Sequence, residues 1–216
     1  MLPMTLDLTR LRLALVGAGD AALRRLERLD AAGARSLVVF APQPAAAFRA
    51  LAGRRLVARM PTTDELARAQ IVFVAGLAAV DAGAIAQSAR MAGSVVHVED
   101  MPEISDVQMP ATLHRGDLTI AVSTGGRSPA LAAEIKRTLD RLIGPEWSAR
   151  LERAAAARHR WRAAGFDPAT VAKRTTAWLA ARGWLASDTL LESHWVPGAA
   201  ADDRAAAASV NAETRP

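Results

Sequence analysis

The chain has 216 residues, 51% of them hydrophobic and 23% charged, with a formal net charge of +5. That length suits one large domain or two to three small ones, and the absence of cysteine excludes disulfides, thiol catalysis and thiolate metal sites. The positive charge is almost all arginine, Lys136 and Lys173 being the only lysines, and it is dispersed, so nucleic acid is not an expected partner.

The N-terminus lacks a basic region followed by a long apolar core, and no apolar run reaches the roughly 18–20 residues of a membrane span. The expectation is a soluble, cytoplasmic protein with no membrane partner. Residues 11–16 (L-R-L-A-L-V) read as a strand that runs into Gly17-Ala18-Gly19, and 21–32 then has helical spacing. Residues 37–40 give a second strand, stopped by Ala41-Pro42. This βαβ unit predicts a parallel sheet. A short third strand is expected at 55–59, and Thr62 or Thr63 is placed to cap a helix. Residues 71–75 (I-V-F-V-A) form a buried strand, 80–92 a helix, and 95–98 a strand that closes the sheet. The alternation predicts an α/β, Rossmann-type, doubly wound domain over residues 1–110.

From Ala111 the rhythm changes. One strand at 118–122 and one long helix at 129–142 predict a small α+β module over 111–145. Gly144-Pro145 breaks the chain, and 146–196 is expected to be a helical domain. All five tryptophans (Trp147, Trp161, Trp178, Trp184, Trp195) fall there and read as packing anchors. Residues 197–216 have no periodicity and are expected to be disordered.

Gly17-Ala18-Gly19-Asp20-Ala21-Ala22 is G-x-G-x-x-A, placed directly after a strand and opening a helix. The first glycine permits a tight turn, the second lets backbone approach a pyrophosphate, and the small third residue lets helix and strand pack closely. Gly17, Gly19, Asp20, Ala21 and Ala22 are therefore the candidate cofactor-binding residues. Residues 38–43 hold no Asp or Glu for ribose hydroxyls, so the residues leave NAD and NADP undistinguished. A tight turn that binds nothing is the competing explanation. His97, His114, His159 and His194 share no spacing, so no metal site is expected, and His97 reads as a satisfied core histidine.

Two blocks resemble a known family. One is L-V-G-A-G-D-A-A-L-R-R, similar to V-G-G-G-x-V-A-x-R-K. The other is V-E-D-M-P-E-I-S-D-V-Q-M-P-A followed by R-G-D-L-T-I-A-V-S-T-G-G-R-S-P-A-L-A. It is similar to N-V-x-D-x-P-x-x-x-x-F-x-x-P-A and G-x-L-x-I-A-I-S-T-G-G-x-S-P-x-L-A. Both patterns are those of the precorrin-2 dehydrogenase/sirohydrochlorin ferrochelatase family, and the likeness covers roughly residues 10–145. The resemblance implies NAD-dependent dehydrogenation of precorrin-2 to sirohydrochlorin, with ferrous iron as a further substrate in members that insert the metal. It also implies a homodimer, with 111–145 as a dimerisation module.

The resemblance puts the family's essential aspartate on Asp100, a carboxylate suited to take the proton that leaves with a hydride. Asp106 stands where a short polar residue is common, with a substrate-binding or a turn-stabilising role equally open. Ser123, Gly125, Gly126 and Arg127 are candidates for holding substrate carboxylates, and a rigid hinge explains the same turn. Arg24, Arg25 and Arg28 are expected on a solvated helix face. Three departures stand out. His97 replaces the usual Asn, Gly76-Leu77-Ala78 replaces a polar loop, and Ala82 replaces a further Asn. A diverged, non-catalytic paralogue that binds a tetrapyrrole or a partner, and a chelatase with a decayed cofactor site, stay open as alternatives.

Overall fold

The computed structural model of the chain describes residues 2–185. Trp195, His194, the end of the 146–196 segment and the stretch 197–216 lie outside the described residues.

The chain divides into two compact units. One holds everything up to Met109 together with Gly125–Ser128; the other holds Pro110–Thr124 and the chain from Pro129 onward. In the first, a parallel sheet has the order β3-β2-β1-β4-β5. Its strands are β1 (Arg12–Gly17), β2 (Ser36–Phe40), β3 (Leu56–Val57), β4 (Ile71–Ala75) and β5 (Val95–Val98). Between them run α1 (Gly19–Ala31), α2 (Ala46–Ala52), α3 (Thr63–Ala67) and α4 (Ala79–Met91).

The strands are apolar on both faces because helices cover both. Leu13 and Leu15 of β1 join Leu26 and Leu29 of α1 and Phe48 of α2 on one side. Ala14 and Val16 face the other side, with Leu66 of α3 and Ile85, Ala86 and Ala89 of α4. The two-residue strand period thus feeds two separate cores. Leu15, Val16, Val39, Val72, Val74 and Val96 are all less than 2% exposed. Helix α3 starts with a capping box, in which Thr62 Oγ1 accepts from the Glu65 amide and the Glu65 carboxylate accepts from the Thr62 amide. The third strand is shorter than expected, and α2 was not expected at all.

In the second unit, β6 (Ala111–Arg115) and β7 (Leu118–Val122) form an antiparallel hairpin, followed by α5 (Pro129–Leu142), α6 (Glu146–Ala163) and α7 (Pro168–Ala180). Arg115 ties the hairpin to α5 and its end: Nη2 donates to Asp140 Oδ1 at 2.6 Å and Nε to the Ile143 carbonyl at 2.7 Å. The helical segment is split by Gly165, which has φ +82°. Trp147, Trp178 and Trp184 sit there against arginines. Trp178 and Trp184 meet edge to face at 5.3 Å, and the Arg150 guanidinium lies 4.9 Å from the Trp147 ring centre. No described helix is long and apolar enough to cross a membrane.

Candidate active site

Strands β1, β4 and β5 end level with one another. Gly17 stands opposite Ala75, and Val74 opposite Val98. Their carboxyl edge, where open α/β sheets bind ligands, therefore presents the Gly17–Gly19 turn, Gly76 and Asp100 side by side.

The turn is built around backbone contacts that exclude side chains. A Cβ on Gly17 would stand 2.2 Å from the Ala75 carbonyl oxygen and 2.9 Å from the Ala22 Cβ. The Ala18 amide donates to that same Ala75 carbonyl at 3.2 Å. Gly17 and the fully buried Ala22 thus let α1 sit directly on the sheet. Gly19 differs: its φ is +63°, and a Cβ there would meet nothing within 4 Å. Ala18 provides no side-chain cap to α1, so the first amides of this 13-residue helix face that open space uncapped. An open, side-chain-free helix start of this kind fits a dinucleotide pyrophosphate. Asp20 is exposed in the first turn and Ala21 half-buried.

Beyond β4, the polar positions of the loop have been given over to packing. Gly76 has φ +68°, and a Cβ there would lie 2.1 Å from the Ala18 carbonyl oxygen, so the loop abuts the glycine turn. Leu77 packs on the second core, and Ala82 is 1% exposed within it.

Asp100 is the one non-glycine residue with positive φ (59°) among the described residues, a conformation that aspartate tolerates better than most side chains. Its carboxylate is exposed and has no hydrogen-bond or ion-pair partner among the described residues. The turn after β5 is stitched by Ser105 instead. Ser105 Oγ accepts from the Val98 amide at 2.9 Å, and its hydroxyl is shared between the Met101 and Val98 carbonyls at 2.9 and 3.1 Å. Asp106 is fully engaged: one oxygen accepts from Arg90 Nε at 2.7 Å and the other from the Val96 amide at 2.9 Å. That arrangement is the turn-stabilising role.

The Gly125–Ser128 turn belongs to the sheet unit, where Gly126 (φ +78°) lies so close to Gln108 that a Cβ would stand 3.1 Å from its Nε2. Arg127 is exposed beside it, and Ser123, also exposed, falls in the other unit.

One expectation is corrected. Arg24 and Arg28 are solvated, but Arg25 is only 2% exposed. Its Nε donates to Glu99 Oε2 at 2.9 Å, its Nη2 reaches the same oxygen, and Nη2 lies 3.2 Å from His97 Nε2. Helix periodicity suggested a solvated face because it could not reveal that the residue just after β5 supplies a carboxylate to this arginine. His97 is the satisfied core histidine expected, with Nδ1 3.0 Å from the Val107 carbonyl. His97 and Arg25 together hold the Glu99 carboxyl down to about 2; of the two, only Arg25 is within hydrogen-bond distance, the ring nitrogen being 3.9 Å away.

Residues 4–111 match a putative NAD(P)-binding family, and residues 115–142 match the central domain of the sirohaem biosynthesis protein. A precorrin-2 dehydrogenase of Bacillus subtilis is 32% identical over 158 residues, which cover 71% of this chain and 95% of that protein. The chain belongs to the precorrin-2 dehydrogenase and siroheme synthase family. A siroheme synthase of Methylococcus capsulatus is 36% identical over 172 residues, covering 77% of this chain and 36% of the longer protein. The chain thus spans about a third of the siroheme synthases it matches. A solved structure of SirC, a precorrin-2 dehydrogenase, superposes with a TM-score of 0.70 over 88% of this chain and 95% of that one, at 21% identity. This last likeness concerns the fold.

Proposed function

We propose that this chain oxidises precorrin-2 to sirohydrochlorin with NAD as the hydride acceptor. The observation that carries the reading is the exposed carboxylate of Asp100, unpartnered among the described residues, on the same sheet edge as an uncapped glycine turn. Bound dinucleotide supplies the electron-pair acceptor for a C–H bond of the macrocycle. Gly17, Gly19 and the first amides of α1 would hold its pyrophosphate, with Ala21 and Ala22 keeping the helix close. Asp100 takes the proton that leaves when the hydride departs, so the substrate loses two electrons and gains a double bond.

The choice of NAD over NADP rests on the family resemblance, since residues 41–45 carry neither a carboxylate for the ribose hydroxyls nor a cation for a 2′-phosphate. Arg49 reaches this segment, but its Nε is tied to the Pro44 carbonyl at 3.0 Å. Arg127, with the amides next to it in the Gly125–Ser128 turn, is the group we assign to substrate carboxylates. Asp106 serves that site by holding the chain after β5. Iron insertion is a second activity open to the same Asp100, which would take pyrrole protons as ferrous iron enters.

Calorimetric titration with NAD and NADP, followed by absorbance assay of precorrin-2 oxidation in the same preparation, tests the reading. Saturable NAD binding with NAD-dependent formation of sirohydrochlorin is expected. Absence of binding at millimolar NAD would replace it with the non-catalytic paralogue.

A further inference from the structure

Three side chains under the sheet edge take no part in the reaction as set out: Arg25 on α1, and His97 and Glu99 on the strand that leads to Asp100. They form a connected set. The Arg25 guanidinium grips Glu99, approaches His97 Nε2 at 3.2 Å and lies 5.9 Å from the Phe73 ring centre. The Val107 carbonyl can only accept, so His97 Nδ1 carries a proton toward it and the ring is fixed in place beside Arg25. Glu99 also donates its amide to the Val74 carbonyl at 2.9 Å. The residue before Asp100 is therefore held twice, through its backbone by β4 and through its side chain by α1.

We infer that Arg25, His97 and Glu99 are positioning residues that couple helix α1, which opens at the cofactor turn, to the backbone conformation of Asp100. The inference rests on the reading of Asp100 as the base. The left-handed conformation at Asp100 begins at the residue Arg25 clamps, so release of Glu99 frees the neighbouring φ angle to relax toward commoner values. Glu99 itself is a poor base, because a cation already occupies its carboxylate. Simple stabilisation is a weak reason to keep this ion pair, since desolvating a buried guanidinium offsets much of the attraction. Arg25 even keeps a buried Nη1 without a hydrogen-bond partner among the described residues.

The test uses the full chain and two variants. Glu99→Gln keeps the shape and removes the charge; Arg25→Lys keeps the charge and loses the fork. In Glu99→Gln, kcat for precorrin-2 oxidation is expected to fall about tenfold, the scale of one charge-assisted hydrogen bond, with the NAD dissociation constant unchanged. Placed on Asp100→Asn, the same substitution should cost the residual turnover nothing further. In Arg25→Lys without ligand, hydrogen exchange at the Glu99 amide should quicken about tenfold while the Leu15 amide is unaffected. An unchanged Glu99 exchange rate, or an equal loss of kcat with and without Asp100, overturns the inference. If wild type shows no NAD-dependent oxidation, the functional reading fails, and the exchange measurement alone then decides the coupling.

Discussion

At Gly17 a methyl group would collide with a backbone carbonyl of β4, an atom that cannot swing aside. Gly17→Ala is expected to destabilise the protein by about 1–3 kcal/mol, the usual cost of overpacking, measured by urea denaturation. Gly19 faces open space instead but holds a φ of +63°, so Gly19→Asp should cost about 1 kcal/mol in the melt through backbone strain and abolish NAD binding through steric block and charge. Unchanged affinity in that variant would move the phosphate site elsewhere. For Asp100→Asn, which keeps shape and removes the base, turnover should drop about 10²-fold or more with NAD affinity unchanged. Near wild-type turnover would take Asp100 out of the mechanism. The G-x-G-x-x-A spacing located both glycines but assigned the tight turn to Gly17. In the fold, Gly17 is the close-contact residue and Gly19 holds the positive φ. A pattern of residue types fixes where small residues are needed; which contact each one permits depends on how β4 approaches β1.

Helix α1 and the end of β5 are joined by an ion pair whose acid sensitivity can be read directly. The Glu99 carboxyl is held at about 2 in the folded chain, below its ordinary 4.5. The pair therefore contributes fully above pH 4.5, and its contribution is lost as the pH falls from there toward 2. Stability of the wild type should decline more steeply than that of Glu99→Gln between pH 5 and pH 3, followed by chemical denaturation; parallel slopes would show that the pair does not persist in solution. The elements themselves were legible to different degrees. The strands at 71–75, 95–98 and 118–122 and the helix at 129–142 have the expected limits, because continuous apolar runs and Pro129 mark them locally. Strand β6 (A-T-L-H-R) was missed: it buries only Leu113 and exists because β7 pairs with it across the turn. Helix α2 was missed because seven residues, mostly alanine, carry little periodicity, and its place is set by burial of Phe48 and Ala52.

On the scale of the molecule, the sheet unit contains two filled cores, whereas the described residues of the unit of hairpin and helices bury few of their side chains. Leu131 and Ile135 of α5 are 52% and 40% exposed, and Leu113 and Ala132 are its buried apolar residues in the β6–α5 region. We propose that the apolar helix face around Ile135 meets a second copy of the chain, as the family resemblance implies. Light scattering should then give about twice the 22.8 kDa chain mass, and Ile135→Glu should return it to one. A monomeric wild type would discard the assignment.

The sequence by itself determined the parallel α/β unit, the location of its glycine turn and the family resemblance, because strand period, turn glycines and a long shared block are local properties of the chain. It also placed Asp100 at the end of a strand. Only the tertiary structure decided that Asp100 stands unpartnered among the described residues while Asp106 is bound, and that Arg25 is buried against Glu99 rather than solvated. The Arg25–Glu99 contact joins residues 74 positions apart, and no spacing along one element can report which partner a side chain meets across the sheet.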